Sequence, residues 1–213
     1  VNPGRPRSGA RRLPEGTARA EILDAAAELF AQRGYAATST RMIAEMVGVR
    51  QASLYYHFDT KEQILAELLE STVRPSLDYA GTLAGREPAD ALDALVRFDV
   101  GVLLDARWNI GILYALPEVT GEPFARFRAE RERLRSVYRR LVGDAVTGDL
   151  VFGMVESVIG MRRDLSDLPP TDRLQREVAE AAVRLGPFRE RLPATQAEGA
   201  GDQGGAEQGG HRG

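Results

Sequence analysis

Residues 51–57 read Gln-Ala-Ser-Leu-Tyr-Tyr-His, so Gln51, Ser53, Tyr55, Tyr56 and His57 crowd hydrogen-bonding groups around one leucine. An amide such as Gln51 can pair bidentately with adenine, while serine and tyrosine hydroxyls suit base edges or phosphate oxygens. Other chemistries have less raw material. The 213 residues include no cysteine, which excludes disulfides, thiolate metal sites and cysteine nucleophiles. His57 and His211 are the two histidines, and the second lies in a glycine-rich stretch. Multi-histidine zinc sites and most histidine-based catalysis therefore lack ligands. Asp99, Glu118 and Glu156 could act as catalytic carboxylates, but no nucleophile elbow, phosphate loop or metal cluster accompanies them. The reading assigns no catalytic residue, no metal and no cofactor.

A run of this kind must be held by helices. Ile22, Leu23, Ala26, Leu29 and Phe30 recur at helical spacing from about Thr17 to Arg33, and Gly34 stands where a terminating glycine belongs. Ser39 caps a second helix over Thr40–Val47, with Ile43, Ala44 and Val47 inward. Gly48 makes a tight turn, Val49 plugs the corner, and a third helix spans Gln51–Phe58 on the anchors Leu54 and Phe58. Two helices joined by a glycine turn, the second short and polar, form a helix-turn-helix pattern. Thr60-Lys-Glu-Gln63 reads as a capping box that opens a helix from Lys61 to about Arg74, which Pro75 kinks or ends.

Charge supports a division of labour. The chain is −3 overall, yet residues 1–61 are +3 and residues 62–213 are −6. Arg5, Arg7, Arg11, Arg12 and Arg19 face only Glu15 in the first twenty residues. A basic front on an acidic body places a polyanion partner at the front. The arm at residues 5–19 is expected to follow phosphates or enter a minor groove.

The segment from Thr17 to Leu65 resembles the amino-terminal domain of TetR-family transcriptional regulators, above all in IAEMVGVRQASLYYHFDTKEQIL. The resemblance implies that Thr40 and Arg41 touch phosphate and that Gln51, Ala52 and Ser53 meet bases. Tyr55, Tyr56 and His57 would grip the backbone, and Lys61 would add a cation. Arg50 stands where the family often has a Ser or Thr cap, exchanging that cap for a phosphate-seeking cation. Met42 stands where an acid is common.

The rest of the chain also reads as helix, in stretches Pro88–Ala106, Trp108–Leu116, Pro123–Val142, Leu150–Met161 and Thr171–Leu192, the last interrupted by Gly186-Pro187. The expected fold is all-α: a disordered basic arm (1–16), a three-helix helix-turn-helix DNA-binding domain (17–60), a helical-bundle ligand-binding and dimerisation domain (61–192), and a disordered tail (193–213). Leu150–Met161 is too apolar for a monomer's surface. Gly153, Ser157 and Gly160 form a small-residue ridge there which, with Val178 and Ala182, could build a four-helix interface across a two-fold axis. For the ligand pocket that the resemblance implies, Phe98, Asp99, Trp108, Asn109, Tyr114, Glu118 and Phe127 are the candidates. A carboxylate on an inner face, as at Asp99, must meet an internal arginine or face a cavity. Glu156 lies unpaired-looking in an apolar helix. The expected partners are a double-stranded DNA operator, a second copy of the chain and a small-molecule effector, with no membrane and a cytoplasmic location. The reading is a repressor released from its operator by that effector; the rival is an architectural or protein-responsive DNA-binding dimer that needs no ligand.

Overall fold

The computed structural model describes Leu13 and residues 16–187. The expectations for most of the basic arm, for the tail and for residues 188–192 of the last helix lie outside those residues. Helices α1 (Ala18–Arg33), α2 (Thr40–Val47) and α3 (Gln51–Tyr55) come first. Then follow α4 (Lys61–Thr82), α5 (Pro88–Asp105), α6 (Ala125–Val142), α7 (Ala145–Asp164) and α8 (Thr171–Leu185). Three 3-10 turns, Ile110–Ala115, Pro117–Thr120 and Glu122–Phe124, link α5 to α6. Among the described residues there is no strand, and no helix is long and apolar enough to cross a membrane. The fold is all-α.

Side-chain caps set the helix starts where orphan N–H groups need acceptors. The hydroxyl of Thr17 accepts from the amide of Ala20, Ser39 from Met42, Thr60 from Gln63, and the Asp144 carboxylate from Thr147. The Gln63 side chain in turn accepts from the Asp59 amide at 2.8 Å, one residue before the position a strict capping box would use. Gly48 ends α2 in the left-handed region at φ 72°, where a side chain would be strained.

Two helices depart from expectation. Pro75 does not end α4, which continues to Thr82. The proline removes one amide, but burial of Val73 and Ser76 on either side of it keeps the helix seated. α3 is shorter than expected, stopping at Tyr55, and Phe58 reaches the core from the turn that follows. The segment after Trp108 is 3-10 rather than α-helical.

α4 is the shared element. Ile64, Leu65, Leu68 and Leu69 are buried along its first turns, where it packs on α1, and its later turns pack on α5 and α6. α5 packs against α8 and α6 against α7, so the body is a layered bundle with α4 on the side away from α7 and α8. Gly148 marks a close backbone crossing: a Cβ there would lie 2.5 Å from the Arg139 Cα and 2.8 Å from its amide nitrogen. That contact is backbone and cannot swing aside. Gly148→Ala is expected to destabilise the fold by about 1–3 kcal/mol through overpacking. A thermal melt should show the midpoint falling by several degrees; an unchanged midpoint would show that α6 and α7 have slack here.

Candidate nucleic-acid interface

The helix-turn-helix is fixed from below by apolar anchors and leaves a polar face above. Ile43, Ala44, Val47, Leu54 and Phe58 are buried. Gln51, Ala52 and Ser53 are exposed, and Tyr56 is 87% exposed. α3 begins at Arg50 with no side-chain cap, so Arg50 is free to project outward.

Thr40 and Gln51 do not act separately. The Gln51 amide nitrogen donates to the Thr40 hydroxyl at 3.2 Å and to the Tyr55 hydroxyl at 3.4 Å. The Thr40 and Tyr55 hydroxyls lie 3.2 Å apart. This triangle bridges the start of α2 and the exposed face of α3, holding three polar tips at one height. Nothing in the sequence alone singled out that closure, although three of its residues were individually candidates. Arg41 is exposed and pairs with Glu45 at 2.8 Å. A phosphate approaching Arg41 would compete with that carboxylate.

Lys61 is not a free cation. Its ammonium donates to the carbonyls of Tyr35 and Thr38, both at 2.9 Å, and lies 4.0 Å from the centre of the Tyr35 ring. It ties the α1–α2 connection to the start of α4. Tyr35 donates its hydroxyl to Glu62 at 3.1 Å; burial first, then that carboxylate, raises the phenol well above its ordinary range. Arg19 is similarly engaged. It pairs with Glu67, donates to the His57 carbonyl at 2.7 Å and stacks 4.1 Å over Phe58. Of the five arginines read as a phosphate-tracking arm, Arg19 thus braces the α3–α4 junction, and the other four lie outside the described residues.

The body disperses most of the pocket candidates, but Tyr114 and Phe127 line one cavity of about 560 Å³ together with Val119, Arg128 and Arg131. Phe98 stacks on Tyr79 at 4.2 Å, Glu118 is exposed, and Phe127 is buried against Tyr114. The Trp108 indole donates to Asp24 on α1 at 3.1 Å, and Asn109 donates to the Ile159 carbonyl on α7 at 2.9 Å. Asp99 meets neither an arginine nor an open cavity. It accepts from Ser76 and from Tyr138, each at 2.8 Å, and sits beside a small void of about 10 Å³. That space holds one water at most. Glu156, contrary to expectation, is paired with Arg131 at 2.7 Å, and Arg131 stacks over Phe152 and Tyr114. Burial pushes the Asp99 carboxyl up to about 6, the two hydroxyls pull it down, and the charge on Glu156 adds to the rise.

The dimerisation candidates divide. Gly153 and Ser157 are exposed and Gly160 is half-buried, with open space where a Cβ at either glycine would go. Val178 is half-buried, but Ala182 is fully buried within the protomer because it faces inward from α8. Val146 and Leu150, 69% and 60% exposed, extend the uncovered apolar face on α7, and Leu185 extends it on α8.

Two predictions separate these roles. Lys61→Met strands two carbonyls and should destabilise the protein by about 1–3 kcal/mol. Tyr56→Ala should leave the melt unchanged while weakening binding to DNA flanking the gene roughly tenfold, as loss of one hydrogen bond to a charged group would. Gel shifts and melts on both variants read the difference; a Tyr56→Ala protein with full affinity would remove Tyr56 from the interface. The folded Asp99 carboxyl titrates above its unfolded value, near 4. The folded state therefore holds the extra proton, and stability declines as pH rises from about 4 to about 6. Asp99→Asn should lack that segment and gain on the native chain above pH 6. Parallel pH-dependent melts that fall together would contradict it.

Known proteins share the fold and the sequence of its amino-terminal helices. Residues 22–68 match the family model described as bacterial regulatory proteins, tetR family. The crystal structure of Mycobacterium smegmatis AmtR superimposes with a TM-score of 0.77 at 47% identity, over 85% of this chain and 93% of that one. The HTH-type transcriptional repressor KstR2 of Rhodococcus jostii is 53% identical over 51 residues, 24% of this chain and 25% of the relative. The chain thus matches only a quarter of the length of that curated relative. AibR, solved in complex with isovaleryl coenzyme A and operator DNA, shares the fold with a TM-score of 0.63 at 22% identity, over 78% of this chain and 95% of that one. With a near full-length relative at this identity and a helix-turn-helix that matches the family's own pattern, the chain belongs to the TetR family of bacterial transcriptional regulators.

Proposed function

We propose that the chain is a dimeric, operator-binding transcriptional repressor. Gln51, Ala52 and Ser53 meet base edges, while Thr40, Arg41, Arg50, Tyr55, Tyr56 and His57 hold phosphate and sugar. The observation that carries this reading is the polar triangle of Thr40, Gln51 and Tyr55, exposed on a helix-turn-helix whose opposite side is wholly buried. Ordering those tips before DNA arrives reduces the entropy lost on binding.

Operator geometry calls for two such faces about one helical turn apart, roughly 34–36 Å, presented by a two-fold dimer. The uncovered face of Val146, Leu150, Gly153 and Ser157 on α7 supports that pairing, since a face repeated about a two-fold axis must complement itself. The domain division follows the same lines: residues 17–60 read DNA, and residues 61–192 pair the protomers and receive the signal.

Release from DNA requires an effector that prefers a state with the recognition helices moved off operator spacing. The link from body to reader is explicit. Arg162 of α7 donates to the carbonyls of Leu103 and Ala106, Asn109 donates to Ile159, and Arg107 and Trp108 donate to Asp24 on α1. A shift of α7 therefore pulls on α1 through residues 103–109. A small molecule has room in the cavity of about 560 Å³ lined by Tyr114, Phe127 and Arg131, whereas the void beside Asp99 admits a single water.

Leu150→Glu tests the assembly. A charge on each copy at the two-fold face should yield monomers by sedimentation and lower operator affinity roughly a hundredfold, the loss of linked binding. A Leu150→Glu protein that remains a dimer and binds normally would move the interface elsewhere.

A further inference from the structure

We propose that the groove between the second half of α4 and α6 is a docking surface for an acidic amphipathic helix of another protein. The groove encloses about 930 Å³ and lies on the flank away from α7 and α8. Its floor is apolar, with Leu77 and Leu83 from α4 and its end, and Val137 and Leu141 from α6. One wall is built from small residues, Ala80, Gly81 and Ala84, which let a partner backbone come close.

The rim states the partner's charge. Arg86, Arg133 and Arg140 are exposed there, and none of their side chains has an ion pair or hydrogen bond among the described residues. Most other arginines of α6 are spoken for: Arg126 by Glu130, Arg131 by Glu156, Arg135 by Glu132, and Arg139 by Asp149. Glu132, the acid on the same rim, is held by Arg135 and Arg139 and does not neutralise the three. Arg133 and Arg140 stand seven residues apart, two turns on one face of α6. A partner helix with acids two turns apart would meet both at once.

Shape selects a helix over a small anion. Residues 129–141 of α6 line the trough for about 18 Å, and an α-helix of 10–12 Å diameter fills such a channel with one face. Sites for small ligands bury most of the ligand, roughly 70–90% of its surface, whereas the groove stands open along its length. Charge on such a rim governs partner choice and on-rate more than raw affinity. The proposal rests on the groove alone, and operator binding is measured separately so that either can fail without the other.

The test is fluorescence anisotropy on the full chain with a labelled, stapled helix. It carries leucines at i, i+3, i+4 and i+7 and glutamates two turns apart; a twin peptide has lysine at each glutamate. The acidic helix should bind with a Kd of about micromolar order, and the lysine helix at least roughly tenfold more weakly. The double variant Arg133→Glu/Arg140→Glu should lose the acidic helix by a similar factor while keeping its melt and its operator affinity. Ala84→Trp, which fills the trough without altering charge, should abolish binding. Failure of the acidic helix to bind, equal binding of both peptides, or indifference to the charge reversal overturns the proposal. So does tighter binding of dodecanoate than of either peptide, which would assign the groove to a small amphipathic anion. Self-association lost in the double variant would assign it to a second copy and overturn it equally.

Discussion

One helix has to satisfy two cores at once. The first turns of α4 place Ile64, Leu65, Leu68 and Leu69 where the three-helix reader needs them, and the same helix supplies Val73 and Ser76 to the body. Neither core is complete without it, so the reader cannot move as an independent module. The Lys61 ammonium sharpens this dependence, because it holds the Tyr35 and Thr38 carbonyls at the start of α4. Two of its three N–H donors are used there. Lys61 thus has an architectural role at this junction.

Further along, α4 is bound to α6 by charge as well as by apolar packing. Glu70 and Glu130 are both buried and share Arg74 and Arg126 between them. Buried carboxylates are tolerable only when paired, and separating the helices would strand them. One oxygen of Glu130 already has no partner, so this lattice is complete only while the two helices remain together. Beyond it the interior turns polar around Asp99, which is held by hydroxyls from α4 and α6. The body is thus held by specific polar contacts at two levels.

Much of this was legible in the order of residues. The caps Ser39, Thr60 and Gly48 and the anchors Leu54 and Phe58 announced the reader because their roles are local, decided within a few positions. Exposure of Gln51, Ala52 and Ser53 followed from the same helical spacing. What could not be read were contacts between distant segments. Asp24 meets Trp108 across 84 positions, and Arg131 meets Glu156 across 25. Periodicity places each on a face but cannot say which face opposes it. Continuation of α4 past Pro75 was hidden for a related reason: local propensity argued for a break, and burial on both sides outweighed it. Ala182 belonged to an apolar stripe broad enough to serve two neighbours, and the choice of the inner one was made by packing.

The indole of Trp108 sits at the seam between reader and body, bonded to Asp24 and stacked 5.0 Å from the Arg107 guanidinium. It is the sole tryptophan in the chain. The protein therefore contains a native optical gauge at the joint between α1 and the segment that follows α5. Its emission colour follows the wetness and polarity of that joint without any dye or label, so loosening of the seam can be watched apart from unfolding elsewhere.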